Sequence, residues 1–362
     1  MRMNRTTAAT RALLAFSTCL GIAPAMAQSS MTIYGIVDLA MNAVNGEKSN
    51  SRYMSSGGNS TSRLGFRGQE DLGSGLYVGF DLEAQVDATS GAGGPSNTNN
   101  TPGGVTSGGG LTFNRYSVVR FGGDFGELRL GRDYTAHYRN RVDVDPFGNQ
   151  GIASSQAQVG SLGGVTNTRA SNMVNYVTPS SLGGFYAVVN YYFGEPTPDA
   201  SGTKNGYGQS FRLGYRAGPW LAAVSQGSTR YATTATAGDI TSTNMALAYD
   251  FGAVRLMGGL YRDRVSRASP LTGKGFIVAA TAPVGVHEFK LAYSRYGTDA
   301  ARSPTADKVV VGYVHNLSKR TALFTNIVHV KNSGGASVSL QGSTTNPDGS
   351  SKGVNAGIRH AF

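Results

Sequence analysis

The chain has 362 residues, a formal net charge of +11 and a single cysteine, Cys19. One cysteine excludes a disulfide framework, and no segment reaches the roughly 18 uninterrupted apolar residues of a membrane-crossing helix. Fifty-one glycines, 18 tyrosines and 15 phenylalanines stand against one tryptophan, which suits a strand-built chain: a large sandwich, a solenoid or a closed membrane barrel.

Arg2, Arg5 and Arg11 precede an apolar run from Ala12 to Ala23, followed by Ala25, Met26 and Ala27. This pattern reads as a secretory signal cleaved before Gln28; the run is too short for a span of about 20 residues. Cleavage of residues 1–27 removes Cys19 and three arginines but no acid, so 28–362 forms one domain carrying +8.

Alternation starts at once in TIYGIVDLAMN, from Thr32. It recurs from Gly75, where Leu76, Val78, Phe80, Leu82 and Ala84 share one parity and Tyr77, Gly79, Asp81, Glu83 and Gln85 the other. A soluble sandwich would turn the apolar parity inward, whereas a membrane barrel turns it out to lipid. The turns separate the two. Short Gly-, Pro- or Ser-bearing turns occur at 72–75, 123–127, 179–184, 216–219, 250–253, 282–285 and 316–320, each with the chemistry of a hairpin. Longer polar stretches fall between them at 45–61, 87–112, 133–170, 194–207, 227–241, 263–273, 297–306 and 331–351. Seven turns alternating with eight loops predict 16 strands of about 8–12 residues, close to the roughly 9–11 that cross a bilayer when tilted. Loops segregated by length and an even strand count predict a transmembrane antiparallel β-barrel, all-β, with short periplasmic turns and long extracellular loops. Sixteen strands leave an aqueous channel where eight would be filled by side chains.

Parity also assigns the wall. In SRLGFRG, Leu64 and Phe66 face lipid, so Arg63 and Arg67 face the lumen. Val119 and Phe121 turn Arg120 inward, and Leu128 and Leu130 turn Arg129 inward, with Arg132 at the entrance to the next loop. An arginine on lipid at the midplane costs about 2–4 kcal/mol, which favours these assignments. Asp38, Asp81, Glu83 and Glu127 share the inner wall and are available as partners for some of the arginines. Loop 133–170 is the longest and mixes Tyr134, Tyr138, Val142 and Phe147 with charges, as a loop packed on a wall requires. Asp133, Asp143 and Asp145 are its acidic candidates for a constriction; for Asp143 and Asp145 the alternative is to cap the DPF turn, which for Asp145, directly before Pro, is the default. Arg139 and Arg141 stand beside them and argue against a strongly negative loop. Clustered arginine in a narrow aqueous neck predicts a positive potential and an anion preference that weakens as salt rises.

The sequence closes on GVNAGIRHAF. Val354, Ala356, Ile358, His360 and Phe362 share a parity. A strand at 352–362 would pair with the first strand and close the sheet, removing edges that hydrocarbon does not tolerate.

Several blocks, in order, resemble the Gram-negative general porins, with the β-proteobacterial branch the nearest likeness: MTIYGIVDLAM, SRLGFRGQEDLGSGLYVGFDLE at 62–83, FNRYSVVRFGGDFGELRLGRDY at 113–134, DPF at 145–147, NLSKRTALF at 316–324 and the final GIRHAF. The resemblance implies a homotrimer of 16-stranded barrels in the bacterial outer membrane, with the third loop folded into the lumen and passive diffusion of small ions and hydrophilic solutes. It implies contact with outer-membrane lipid and lipopolysaccharide, and a terminal Phe362 read as an assembly signal by the insertion machinery.

Other readings have less support. A barrel enzyme needs a base beside a nucleophile or activated water, and His137, His287, His315, His329 and His360 do not converge in sequence with a Ser or paired Asp. No metal is expected, with no HxH or HExxH spacing, and no cofactor. The basic residues are scattered over alternating strands instead of forming an aromatic-interleaved patch, so nucleic acid is not an expected partner. A substrate-selective channel for organic acids, phosphate or sugars remains the main alternative; Tyr34, Tyr77, Tyr116, Tyr186, Tyr192 and Tyr261 would supply an aromatic track for a sugar.

Overall fold

The structure is a computed structural model describing residues 30–96, 110–154, 168–194 and 204–362. The expected signal segment, residues 1–27, lies outside the described residues. In chain order the elements are β1 (Ser30–Gly46), β2 (Asn50–Ser56), β3 (Arg63–Gly73), β4 (Leu76–Gln85), β5 (Tyr116–Gly123), β6 (Gly126–Tyr134), α1 (Ala136–Val142), β7 (Arg169–Val177), β8 (Phe185–Tyr192), β9 (Gly208–Ala217) and β10 (Trp220–Thr229). They continue with β11 (Asp239–Asp250), β12 (Arg255–Ser266), β13 (Leu271–Val284), β14 (His287–Thr298), β15 (Thr305–Asn316), β16 (Thr321–Ser333) and β17 (Ser350–Ala361).

Apart from β2 and β3, every strand pairs antiparallel with its sequence neighbour, and β1 pairs with β17 from Ile36 opposite Ala361 to Gly46 opposite Ser351. Phe362 extends the seam: its N–H donates to the Gly35 carbonyl and its own carbonyl accepts from Gly35 N–H. The sheet is therefore closed. β2 and β3 both pair with β1, so they are two halves of one spanning strand broken at 57–62. Seventeen hydrogen-bonded segments make 16 strands. Asp38 holds the break: its carboxylate accepts the N–H groups of Gly58, Asn59 and Ser60 at 2.8, 3.1 and 2.7 Å.

Six of the seven short turns fall where the sequence places them, and the seventh, expected at 282–285, lies at 285–286. Several of the loops are shorter than their polar composition suggests. β1 and β2 leave only 47–49 between them, β12 and β13 only 267–270, and β14 and β15 only 299–304. Strands running beyond the membrane are wet on both faces, so they lose the alternation by which a strand is recognised.

The outward parity carries Ile33, Val119, Leu130, Leu213, Leu247, Val278, Val311 and Ile327, all exposed. At the turn end Trp220 meets Tyr249 edge-on, and Tyr249 meets Phe251, and Phe289 meets Tyr313, at a tilt, a girdle of the kind that marks a bilayer interface.

The inner wall is divided. From β10 to β16 it is apolar: Leu221, Ala246, Ala248, Met257, Ile277, Ala279, Ala292, Val310, Val328 and Val330 form one cluster with Val144, Phe147, Ile152 and Ala153 from the segment after β6. Residues 144–153 of that segment, the third loop, lie inside the barrel against this sector. From β3 to β9 the inner wall is charged.

The candidate pore constriction

The loop is fixed to the wall by specific contacts. The Ala136 N–H donates to Asn190 Oδ1 at 2.5 Å and Asn140 Nδ2 to the Ala223 carbonyl at 3.3 Å, so α1 sits on β8–β11. Arg141 donates to both carboxylate oxygens of Asp263 at 2.6 and 2.7 Å, lies 4.5 Å over the Tyr261 ring, and shares Asp263 with the Tyr296 hydroxyl. Arg141 and Asp263 are both buried, and removing one partner of such a pair costs about 3–5 kcal/mol. Phe147 packs on β15 at Gly312, where a Cβ would come within 2.5 Å of the ring; no larger residue fits. Lys308 Nζ donates to the carbonyls of Ile152 and Ser154 at 2.7 and 2.5 Å, capping the short 3₁₀ turn at 151–153. His137 is buried against the backbone of β10 at Gly227. Burial holds its imidazole well below the ordinary value, down to about 3, with Arg141 pushing the same way and Asp263 opposing.

The predicted basic wall is present on β3, β5 and β6, interleaved with acids. Arg63 Nε lies 3.5 Å from Glu83, which also holds Arg115 at 2.5 Å and accepts from the Tyr34 hydroxyl. Arg120 bridges Asp81 at 2.7 Å and Glu127 at 3.1 Å; Arg129 bridges Glu127 at 2.5 Å and Asp133 at 3.3 Å. Asp133 also takes Arg139 at 3.2 Å and Asn175 at 2.9 Å. Asp143 receives Arg212 at 2.5 Å and Arg216 at 2.7 Å. Arg67, exposed, has no carboxylate at ion-pair distance among the described residues and stands 5.4 Å from the Tyr34 ring.

Three candidates occupy other places. Arg132 is opposite Ser117, on the outward parity of Val119 and Phe121; its guanidinium donates to the Asn114 carbonyl and the Ser171 hydroxyl. The register shifts between Gly131 and Asp133, a bulge around Arg132, so Arg132 is not in the basic row. Asp145 is buried and accepts the Phe147 N–H at 2.9 Å, the turn-capping role. Asp38 is buried in the strand break and not open to the lumen.

The sequence reading passed over Arg115, Arg212, Arg216, Asp263 and Lys308. Its own rule reaches two of them: Phe211 and Leu213 are exposed, which turns Arg212 and Arg216 inward. The apolar sector had a signal too, in Val309-Val310-Val311, since a strand apolar on both faces is covered on both.

Counting the ion-paired lumen residues and Arg67, nine arginines face six carboxylates, a surplus of three positive charges. A closed barrel, lipid-facing outside and charged along an open inner sector, defines a transmembrane channel of the outer-membrane kind. The chain matches the Gram-negative porin family over residues 9–335, and it belongs to that family; its place is the outer membrane. It is 35% identical to outer membrane porin protein 32 of Delftia acidovorans, over 97% of this chain and 99% of that protein. It is 27% identical to an outer membrane porin protein of Bordetella pertussis, over 97% and 100% of the two chains. The solved structure of an anion-selective porin from Comamonas acidovorans superposes with a TM-score of 0.82 at 33% identity, covering 92% of this chain and all of that one.

Proposed function

We propose that this porin is a general diffusion pore with a preference for small anions. It works as a homotrimer of residues 28–362 after loss of the signal, and Phe362 takes part in recognition by the insertion machinery. The observation that carries the anion preference is the arginine surplus on the open sector, with Arg67 unmatched. Low-dielectric walls focus the field of such a surplus, and the similar Comamonas protein is itself described as anion-selective. The third loop covers the apolar sector and leaves the charged sector as the path, so Arg63, Arg67, Arg120 and Arg129 with Asp143 and Asp133 form the constriction.

A sugar track is less well supported. The inner tyrosines brace charge: Tyr34 bonds Glu83, Tyr77 bonds Glu127, Tyr116 accepts from Arg139, and Tyr186 and Tyr261 lie under Arg212 and Arg141. A ring held in this way is not a free stacking surface. A channel role also accounts for the charged wall without any catalytic group.

The test is a planar bilayer under a KCl gradient. The reversal potential takes the sign of chloride preference and shrinks between 0.1 and 1 M salt, as the Debye length falls from about 10 to about 3 Å. A cation-selective potential overturns the assignment. Liposome swelling with graded solutes gives a smooth size cutoff for a general pore and saturable single-solute uptake for a selective one.

A further inference from the structure

The outward face of β12–β14 changes character towards its loop end. On β12 the outward residues run Leu256, Gly258 and Leu260, then Arg262; on β13 they run Val278 and Phe276, then Lys274; on β14, Leu291 and Tyr293, then Arg295. Leu260 is opposite Phe276, Arg262 is opposite Lys274, and Phe276 is opposite Arg295. The three cations thus line one cavity of about 580 Å³ at the loop end of the apolar band, Arg262 and Lys274 abreast and Arg295 level with Phe276, which with Leu260 forms its floor.

Like charges directly opposite on neighbouring strands destabilise a sheet. Arg262 and Lys274 are such a pair; among the described residues neither has a carboxylate within ion-pair distance, and Lys274 meets the Asp299 charge only at longer range. Arg295 has Asp307 at 3.5 Å, but that carboxylate also accepts from the Tyr293 hydroxyl at 2.5 Å. Asp299, at the cavity rim, accepts the Thr272 N–H at 2.7 Å. The cavity keeps a positive excess directly above a greasy floor. None of its cations faces the lumen, so conduction does not account for them.

We propose that this cluster is a binding site for the phosphate of an outer-leaflet lipid headgroup, with the lipid's acyl chain lying over Leu260 and Phe276. The loop end of a porin lies at the outer leaflet, and cations placed just beyond the apolar band meet anionic headgroups there. Each such cation near a charged bilayer surface is worth roughly fivefold in affinity. A shared phosphate offers several acceptor oxygens and relieves the Arg262–Lys274 repulsion. Free phosphate has the same chemistry but no use for the apolar floor, and this selects the lipid.

The experiment compares the detergent-purified porin with the triple variant R262Q/K274Q/R295Q and with K274Q alone. Each is incubated with bis-phosphorylated lipid A, its dephosphorylated form or inorganic phosphate, and examined by native mass spectrometry. Single-channel conductance confirms that each barrel is intact. The parent protein retains the phosphorylated lipid and not the dephosphorylated one. K274Q retains it several-fold less, and the triple variant at least tenfold less, with unchanged conductance. Equal retention by the variants, or equal retention of the dephosphorylated lipid, overturns the site. Displacement by an equimolar amount of inorganic phosphate overturns the lipid as its occupant. Dissociation of the variant's oligomer would show the face to be a contact between copies of this chain, which also overturns it.

Discussion

Arg67 differs from Arg63, Arg120 and Arg129 in kind. The others are held by Asp81, Glu83, Glu127 or Asp133, so part of their field is cancelled and part of the fold depends on them. Arg67 is exposed, and its replacement disturbs no ion pair. Arg67→Glu therefore lowers the anion preference, read as a smaller reversal potential, while the unfolding midpoint moves by no more than a surface change of about 0.5 kcal/mol. His137 behaves in the opposite way. Its imidazole is kept neutral by burial, with a value near 3 against an ordinary 6.5. The neutral ring's contribution is complete above about pH 6.5 and is lost by about 1.4 kcal/mol per unit as pH falls towards 3. Acidification should therefore unseat α1, seen as closures or noise in the single-channel trace. His137→Phe keeps the ring and removes the proton site, so its trace stays quiet down to pH 4; acid-induced noise that persists in this variant would assign the effect elsewhere.

At the scale of elements, the third loop is held as a strap, by Arg141 on β12, Phe147 on β15 and Lys308 on β15. Lys308 caps the carbonyls of Ile152 and Ser154, beyond the α1 and Phe147 contacts. Lys308→Met keeps length and packing while removing the donors. It should release the strap near 151–154, giving a larger and more variable conductance and faster protease cleavage there, with the barrel itself intact on a non-boiled gel. Most of the strand plan was legible because alternation and turn chemistry are local. Arg63, Arg67, Arg120 and Arg129 followed from their apolar neighbours alone. Arg132 lies in a bulge between Gly131 and Asp133, where alternation no longer assigns a face, and nothing local marks that bulge. Asp145 was legible as a turn residue from the proline after it. Arg141–Asp263 and the Lys308 cap were not legible, because they join residues more than 100 positions apart and nothing local marks either partner. The loop ends at 47–49, 267–270 and 299–304 were misjudged for the same physical reason: polar residues on both faces of an extended strand look like a loop.

At the scale of the molecule, closure depends on the last dozen residues. Truncation after Ser351 removes nearly all of the partner register of β1 and the outer partner of β16. Two unpaired edges would then face hydrocarbon, where each unsatisfied backbone group costs several kcal/mol. The truncated chain should give no compact, heat-modifiable band on a gel, and a truncated chain that still ran as a folded barrel would contradict the observed seam. The division of the inner wall is likewise a property of the whole. One sector is given to the strap and the other to the path, so the bore is narrower than 16 strands alone would set.

The doubly held guanidinium groups of Arg120 and Arg129 have one more consequence. Each is splinted between two carboxylates and has little freedom to swing with a passing ion or an applied voltage. A filter stiffened in this way acts as a fixed resistor, so in symmetrical electrolyte its current should rise in proportion to voltage, without rectification.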